Sequence, residues 1–330
     1  MSNKQWPNMA MVGYIDCSAT GAVNEITKAQ IQSYNVIIFG FANADGTIPN
    51  SGLFKDLAKT VATIKKIQSP GTVNLLSVGG AVREGDLGKV DIISPYAVEK
   101  TVSNLVASIA TLQLDGIDLD IEDATISIVD ILNFSRLLRT ELDKTNAFLT
   151  CAPILAGSNE LPELITPRGP SWAEVYGPNG VVFDAINVQA YNSGIEFTYT
   201  DPATGNLVSE ASANIVQAAY DALQQRGNIH PQSRIVIGVP CDKKSANMES
   251  NCWNPSSPAT QTAETLVKNV QEIMKGDFGI DPSAFGGLMT WSISNDAYFS
   301  LPKGFFAENV ACKVLALSTK NPTEALTEAS

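Results

Sequence analysis

The chain has 330 residues, 44% of them hydrophobic and 17% charged, with a net charge of −12 and a pI near 4.6. That composition is globular and long enough for one large domain or two small ones, and its acidity disfavours nucleic acid and anionic membranes as partners. A single histidine, His230, nearly removes His-based nucleophilic chemistry and zinc ligation, and the five cysteines (Cys17, Cys151, Cys241, Cys252, Cys312) are too scattered for a disulfide framework.

In chain order, strand and helix alternate. Met1 to Met9 shows no basic segment followed by an apolar run, so no secretory leader is read there. No apolar stretch reaches transmembrane length. Strands are predicted over 9–16, 34–42, 72–78, 114–122, 148–153, 185–191, 234–240 and 287–293. Helices are predicted over 27–33, 53–67, 95–112, 126–144, 172–176, 210–225, 263–274 and 305–317, with a polar frayed tail over 318–330. Eight such repeats point to an α/β fold, a closed (β/α)8 TIM barrel of one domain over 1–318. An open doubly wound sheet is the alternative. In such a barrel chemistry sits at the C-terminal strand ends. His230, before the seventh strand, falls at the opposite end. Cys241 and Cys252 alone are close enough in sequence for a local bridge.

The fourth strand carries three acids where an aliphatic run is expected. Asp118, Asp120 and Glu122 share one face, and Ile117, Leu119 and Ile121 share the other. Neighbours on one face stand about 6–7 Å apart, so three carboxylates there resist ionising together, and at least one proton is retained near neutral pH. A solvated sheet edge would explain the acids but not the unbroken aliphatic face. A hard-metal site would explain them but lacks the glycine-centred calcium loop.

Other strand ends supply partners. Asn187, Gln189 and Tyr191 share one face of the sixth strand, and Met289 and Trp291 one face of the eighth. A tryptophan at the mouth of an acid-lined barrel is suited to stacking on a sugar ring. Ser77-Val78-Gly79-Gly80 ends the third strand, and Arg83 is the one basic residue beside it, which makes phosphate binding the poorer reading. Acids, a tyrosine, amides and a tryptophan, without histidine or metal ligands, suggest glycoside chemistry. Asp120 and Glu122 lie on one strand and cannot flank a bond as two-carboxylate glycosidases require, which argues for a nucleophile supplied by the substrate.

These motifs carry a resemblance. Asp115 to Glu122 matches the DGxDxDxE signature of family 18 glycoside hydrolases, the chitinase family. Ser77 to Gly80 resembles its SxGG, Gln189-Ala190-Tyr191-Asn192 its sixth-strand motif, and Gly286 to Ser292 its eighth-strand GGxMxW segment. The resemblance implies that Glu122 is the general acid and that the substrate's N-acetyl carbonyl attacks to form an oxazolinium ion. It implies that Asp120 orients that group, that Asp118 shares a proton with Asp120, and that Tyr191 and Gln189 hold the acetamide. It implies that Trp291 floors the site with Met289, Asn192 and Phe41 nearby, and that Tyr14 and Ser77 support it. It also implies cis peptides at Gly40-Phe41 and Trp291-Ser292. No cofactor or metal is implied. The expected partner is chitin or N-acetylglucosamine oligosaccharides, acted on by a monomer; the resemblance implies action outside the cell, while the lack of a visible leader leaves export by another route and a cytoplasmic location open.

Between Cys241 and Gly286 there is room for one helix and a loop, not for the α+β insertion of deep-cleft relatives, so an open groove and endo-type cleavage are expected. No chitin-binding module is read in the sequence. An endo-β-N-acetylglucosaminidase acting on N-glycans and a chitin-binding lectin share the fold. The lectin is disfavoured because Glu122 and both aspartates are present.

Overall fold

The apolar runs form strands β1 (Ala10–Asp16), β2 (Val36–Ala42), β3 (Val73–Gly79), β4 (Gly116–Asp120), β5 (Phe148–Cys151), β6 (Ile154–Gly157), β7 (Pro162–Ile165), β8 (Ala185–Gln189), β9 (Thr198–Thr200), β10 (Leu207–Ser209), β11 (Arg234–Pro240) and β12 (Phe285–Trp291) in a computed structural model. It describes residues 5–81, 89–92, 94–193, 197–201, 204–253, 257–300 and 302–317. Among these residues the α-helices are α1 (Thr20–Glu25), α2 (Lys28–Ile31), α3 (Leu57–Ile64), α4 (Pro95–Leu112), α5 (Ile128–Asp143), α6 (Ala173–Tyr176), α7 (Ile215–Arg226), α8 (Ala259–Lys275), α9 (Ile293–Tyr298) and α10 (Cys312–Leu317), the last continuing a π-helical stretch over Ala307–Ala311. Arg83 and the predicted tail lie outside the described residues.

β1, β2, β3, β4, β5, β8, β11 and β12 pair in parallel in that order, and β12 returns to β1. This is the predicted (β/α)8 barrel. The two-residue alternation of each strand divides its side chains between two cores. Val12, Ile38, Leu75, Phe148, Val236 and Met289 pack inside the barrel. Ile37, Phe39, Leu76, Ile117, Leu119 and Val188 face outward into the larger core shared with the helices. Trp6 meets Phe148 edge-on at 5.5 Å, at the end where β5 begins.

Several boundaries differ from the sequence reading. The acidic strand leaves the ladder after Asp120, so Glu122 stands just beyond it. β12 starts at Phe285 and stops at Trp291, because the Ser292 hydroxyl turns to accept the Asn295 N–H at 3.1 Å and cap α9, a helix the sequence reading did not include. Helix α3 begins at Leu57 instead of 53, and Leu53 lies in a loop, 60% exposed. The sixth predicted helix, α7, begins at Ile215 instead of 210. The antiparallel hairpins β6–β7 and β9–β10 were not anticipated. Cys241 and Cys252 are separate buried thiols, not a bridge, and the Cys241 Sγ lies 3.1 Å from the Ser245 hydroxyl.

Between β11 and β12 the described residues hold α8 and short 3-10 turns but no strand, so the expected absence of an α+β insertion is met. A buried carboxylate then fastens the last helical segment: Asp296 accepts the N–H groups of Phe306 and Ala307 at 2.9 and 3.0 Å.

The β1–β12 seam tolerates only glycine at Gly287. Its φ is +126°, and a Cβ there would come within 1.9 Å of the Ala10 carbonyl oxygen. Gly287→Ala is expected to cost about 2 kcal/mol or more, read as a lower urea midpoint. A midpoint equal to that of the parent chain would show that the seam can shift to take a methyl group.

Candidate active site

Asp118 is a well-satisfied acid, accepting four side-chain hydrogen bonds. It is fully buried in the barrel, and strand register places its donors. Ser77 on β3 and Thr150 on β5 stand directly beside it in the ladder. Ser77 Oγ and Tyr14 Oη donate to its Oδ2, each at 2.8 Å. Thr150 Oγ1 and Asn187 Nδ2 donate to its Oδ1 at 2.6 and 3.3 Å. Burial pushes the Asp118 carboxyl above the usual range, and these four donors pull against that shift.

One step along the same face, Asp120 is 5% exposed. Gln189 Nε2 donates to its Oδ1 at 3.0 Å and to the Ala152 carbonyl at 2.8 Å, which pins the amide between the two. Burial, then the charges of Glu122 and Asp118, push the Asp120 carboxyl well up. Glu122 is half-buried beyond the strand end and is also shifted up by burial, against hydrogen bonds from Gln189 and Asp120. Both carboxyls are thus biased toward holding a proton, Asp120 the more strongly. Among the described residues no hydrogen bond joins Asp118 and Asp120; the two are coupled through charge, since Asp118 helps raise the Asp120 carboxyl, and Asp120 hydrogen-bonds to Glu122.

The close approach of β3 and β4 that brings these acids together rests on glycine. At Gly79, φ is +114° and a Cβ would lie 2.0 Å from the Asp120 carbonyl oxygen. The Gly80 N–H donates to that oxygen at 2.7 Å. The SxGG segment thus works as a close-packing device for the barrel mouth.

A cavity of about 220 Å3 opens above this row. Trp291 forms one wall, its ring near parallel to Phe41 (26°, 6.1 Å between centroids) and 5.7 Å from that of Tyr14. Gly40-Phe41 and Trp291-Ser292 are both cis, as expected. Tyr191 lines the cavity, and its hydroxyl has no hydrogen-bond partner among the described residues. Burial and the charges of Asp120 and Glu122 push that hydroxyl well up, so it stays protonated and able to donate.

The remaining predicted residues divide. Tyr14, Phe41, Gln189, Asn192 and Met289 also line the cavity. Asn192 has φ +58°, and its Oδ1 accepts the Asn247 N–H at 2.6 Å, so it ties two loops together. Ser77 is fully buried with its hydroxyl on Asp118, so it supports that carboxylate and does not line the cavity. Leu53, Phe54, Asp16 and Ser245 line the cavity unpredicted, and Ile154 and Pro167 arrive with the β6–β7 hairpin. Leu53 was masked by its fit to the helical period of α3. Asp16 could have been read as a polar residue ending an apolar strand.

Burial of unneeded charge has a measurable consequence. The Asp120 carboxyl is raised in the fold, so the folded state holds its proton more tightly than the unfolded chain, and stability falls as pH rises through that interval. Asp120→Asn is expected to raise Tm at neutral pH, and the gain should vanish in acid where both forms are neutral. Asp118→Asn should move the basic limb of the activity profile to lower pH, since the Asp118 charge helps hold the Asp120–Glu122 proton. An unmoved limb would deny that coupling.

Comparison with known proteins gives a consistent picture. The family profile described as Glycosyl hydrolases family 18 matches residues 10–278. The chain is 22% identical over 327 residues to Chitinase Chi52 of Paenibacillus xylanexedens and 24% identical over 341 residues to Chitinase D of Niallia circulans. Those alignments take in 87% and 90% of this chain but 58% and 60% of the two relatives, so the chain spans about three-fifths of their length. Among solved structures, a family GH18 chitinase from Chromobacterium violaceum superposes with a TM-score of 0.65 at 20% identity, over 96% of this chain and 86% of that one, which supports the fold.

Proposed function

The chain belongs to family 18 of the glycosyl hydrolases, and from that premise we propose that it is a chitinase acting on β-1,4-linked N-acetylglucosamine. The observation that carries this reading is the placement of Asp120, Glu122 and the unpartnered Tyr191 hydroxyl in one cavity also lined by Trp291 and Phe41, with burial raising both carboxyls. Two acids on one strand end cannot act from opposite sides of a glycosidic bond. The attack then falls to the substrate's own acetamido oxygen.

In this mechanism the sugar of the −1 subsite lies over Trp291. Glu122 gives its proton to the leaving glycosidic oxygen as the bond breaks. The acetamido carbonyl oxygen bonds to the anomeric carbon, forming an oxazolinium ion. Asp120 faces the acetamido nitrogen and balances its developing charge, and the Tyr191 hydroxyl donates to the carbonyl oxygen. Glu122, now a carboxylate, draws a proton from water, which opens the ring with the anomeric configuration retained. For Glu122 to begin protonated, the proton held with Asp120 must pass to it, and Asp120 turning to the acetamido group is the movement that would release it.

Among the described residues, the region between β11 and β12 adds no second wall of strands, which supports endo-type cleavage along an open groove. Glu122→Gln is expected to bind chitin oligomers while losing turnover by about 10²–10⁴-fold or more. Full turnover in that variant would refute the assignment. Release of short oligomers from chitin, with no release of glycan from a glycoprotein, separates this reading from an N-glycan endoglycosidase.

A further inference from the structure

The cavity is electrostatically one-sided. Among its described lining residues are three acids, Asp16, Asp120 and Glu122, and no lysine, arginine or histidine. The mechanism uses Asp120 and Glu122. Asp16 has no part in it.

Asp16 is nonetheless held in place. It ends β1, between Gly13–Thr290 pairing on one side and its own register partner Gly40 on the other, so it stands at the end of the aromatic wall formed by Phe41 and Trp291. Its backbone N–H donates to Ser294 Oγ at 3.0 Å. Its Oδ1 accepts both the N–H and the hydroxyl of Ser18, at 2.9 and 2.6 Å. Its Oδ2 has no partner among the described residues. The result is a half-buried carboxylate among the cavity-lining residues, held through one oxygen by Ser18.

A fully acetylated chain offers a carboxylate oxygen only neutral hydroxyl or amide donors. A glucosamine unit offers an ammonium group with three N–H donors and a full charge, and a charge-assisted hydrogen bond is roughly twice as strong as a neutral one. The net charge of −12 draws a cationic polymer to the protein and would repel an anionic one. We propose that Asp16 is a specificity-determining residue that receives the ammonium group of a glucosamine unit next to the cleaved N-acetylglucosamine, which makes partially de-acetylated chitin a preferred substrate. This rests on the chitinase reading and adds a second requirement to it: an acetyl group at the scissile sugar and a free amine at a neighbouring position.

The test is the sequence of products released from partially de-acetylated chitin, read by mass spectrometry of the oligomers. Products of the parent enzyme should keep N-acetylglucosamine at the new reducing end and carry glucosamine at one fixed nearby position about two- to fivefold above its share in the polymer, the range of a partly exposed ion pair. Asp16→Asn should flatten that enrichment and Asp16→Glu should restore part of it. High salt, and pH above the titration of the sugar amine, should erase it in the parent enzyme. The ratio is internal to each enzyme, so a general loss of turnover does not imitate it.

No enrichment in the parent enzyme, or equal enrichment in Asp16→Asn, overturns the inference and leaves the chitinase reading standing. Loss of hydrolysis of fully acetylated oligomers in Asp16→Asn as deep as in Glu122→Gln also overturns it, by making Asp16 a second catalytic carboxylate. Inactivity of the parent enzyme on both polymers overturns the chitinase reading and this inference with it.

Discussion

A carboxylate sealed inside a barrel is the constraint on which the rest of the site depends. Asp118 is fully buried, and an unpaired buried charge would cost several kcal/mol. The barrel meets this with donors from four other strands: Tyr14 from β1, Ser77 from β3, Thr150 from β5 and Asn187 from β8. Each reaches Asp118 only in one register. A slip of one residue at β4 would turn the acids into the outer apolar core and bring Ile117 and Leu119 inward. The fold and the electrostatics of the site are thus one problem with one solution, and the glycines at the strand ends allow the strands to close tightly enough to solve it.

With Asp118 satisfied by uncharged groups, its field acts along the row. It disfavours a second charge at Asp120, and Asp120 and Glu122 disfavour each other, so a proton remains near the cavity at pH values where isolated carboxyls have lost theirs. Gln189 holds Asp120 from one side without adding charge. The arrangement is costly to stability and useful to acid catalysis, which is the expected balance at an active site.

Much of this is legible in the chain itself. The period-two acids on an aliphatic strand require a polar inward face, and the inward Asn187-Gln189-Tyr191 row and Trp291 announce its partners. Strand and helix alternation gives the barrel. What escapes the sequence has physical reasons. Strands of three or four residues, as in β6–β7 and β9–β10, are too short to show a period. Leu53 and Phe54 fit the helical spacing of the segment that follows, though they line the cavity. The partners of each acid depend on groups brought together from several strands: four strands converge on Asp118, and no local pattern contains that convergence. Asp16 closes an ordinary apolar strand, and its place in the cavity comes from the strands on either side.

The central claim is that these acids serve a reaction whose nucleophile belongs to the substrate. The most direct measurement compares two chromogenic disaccharides that differ only at the sugar bonded to the leaving group, N-acetylglucosamine in one and glucosamine in the other. The account predicts release of chromophore from the acetylated compound and none above background from the de-acetylated one. Comparable release from both would mean that the nucleophile comes from the protein or from water, and would contradict it.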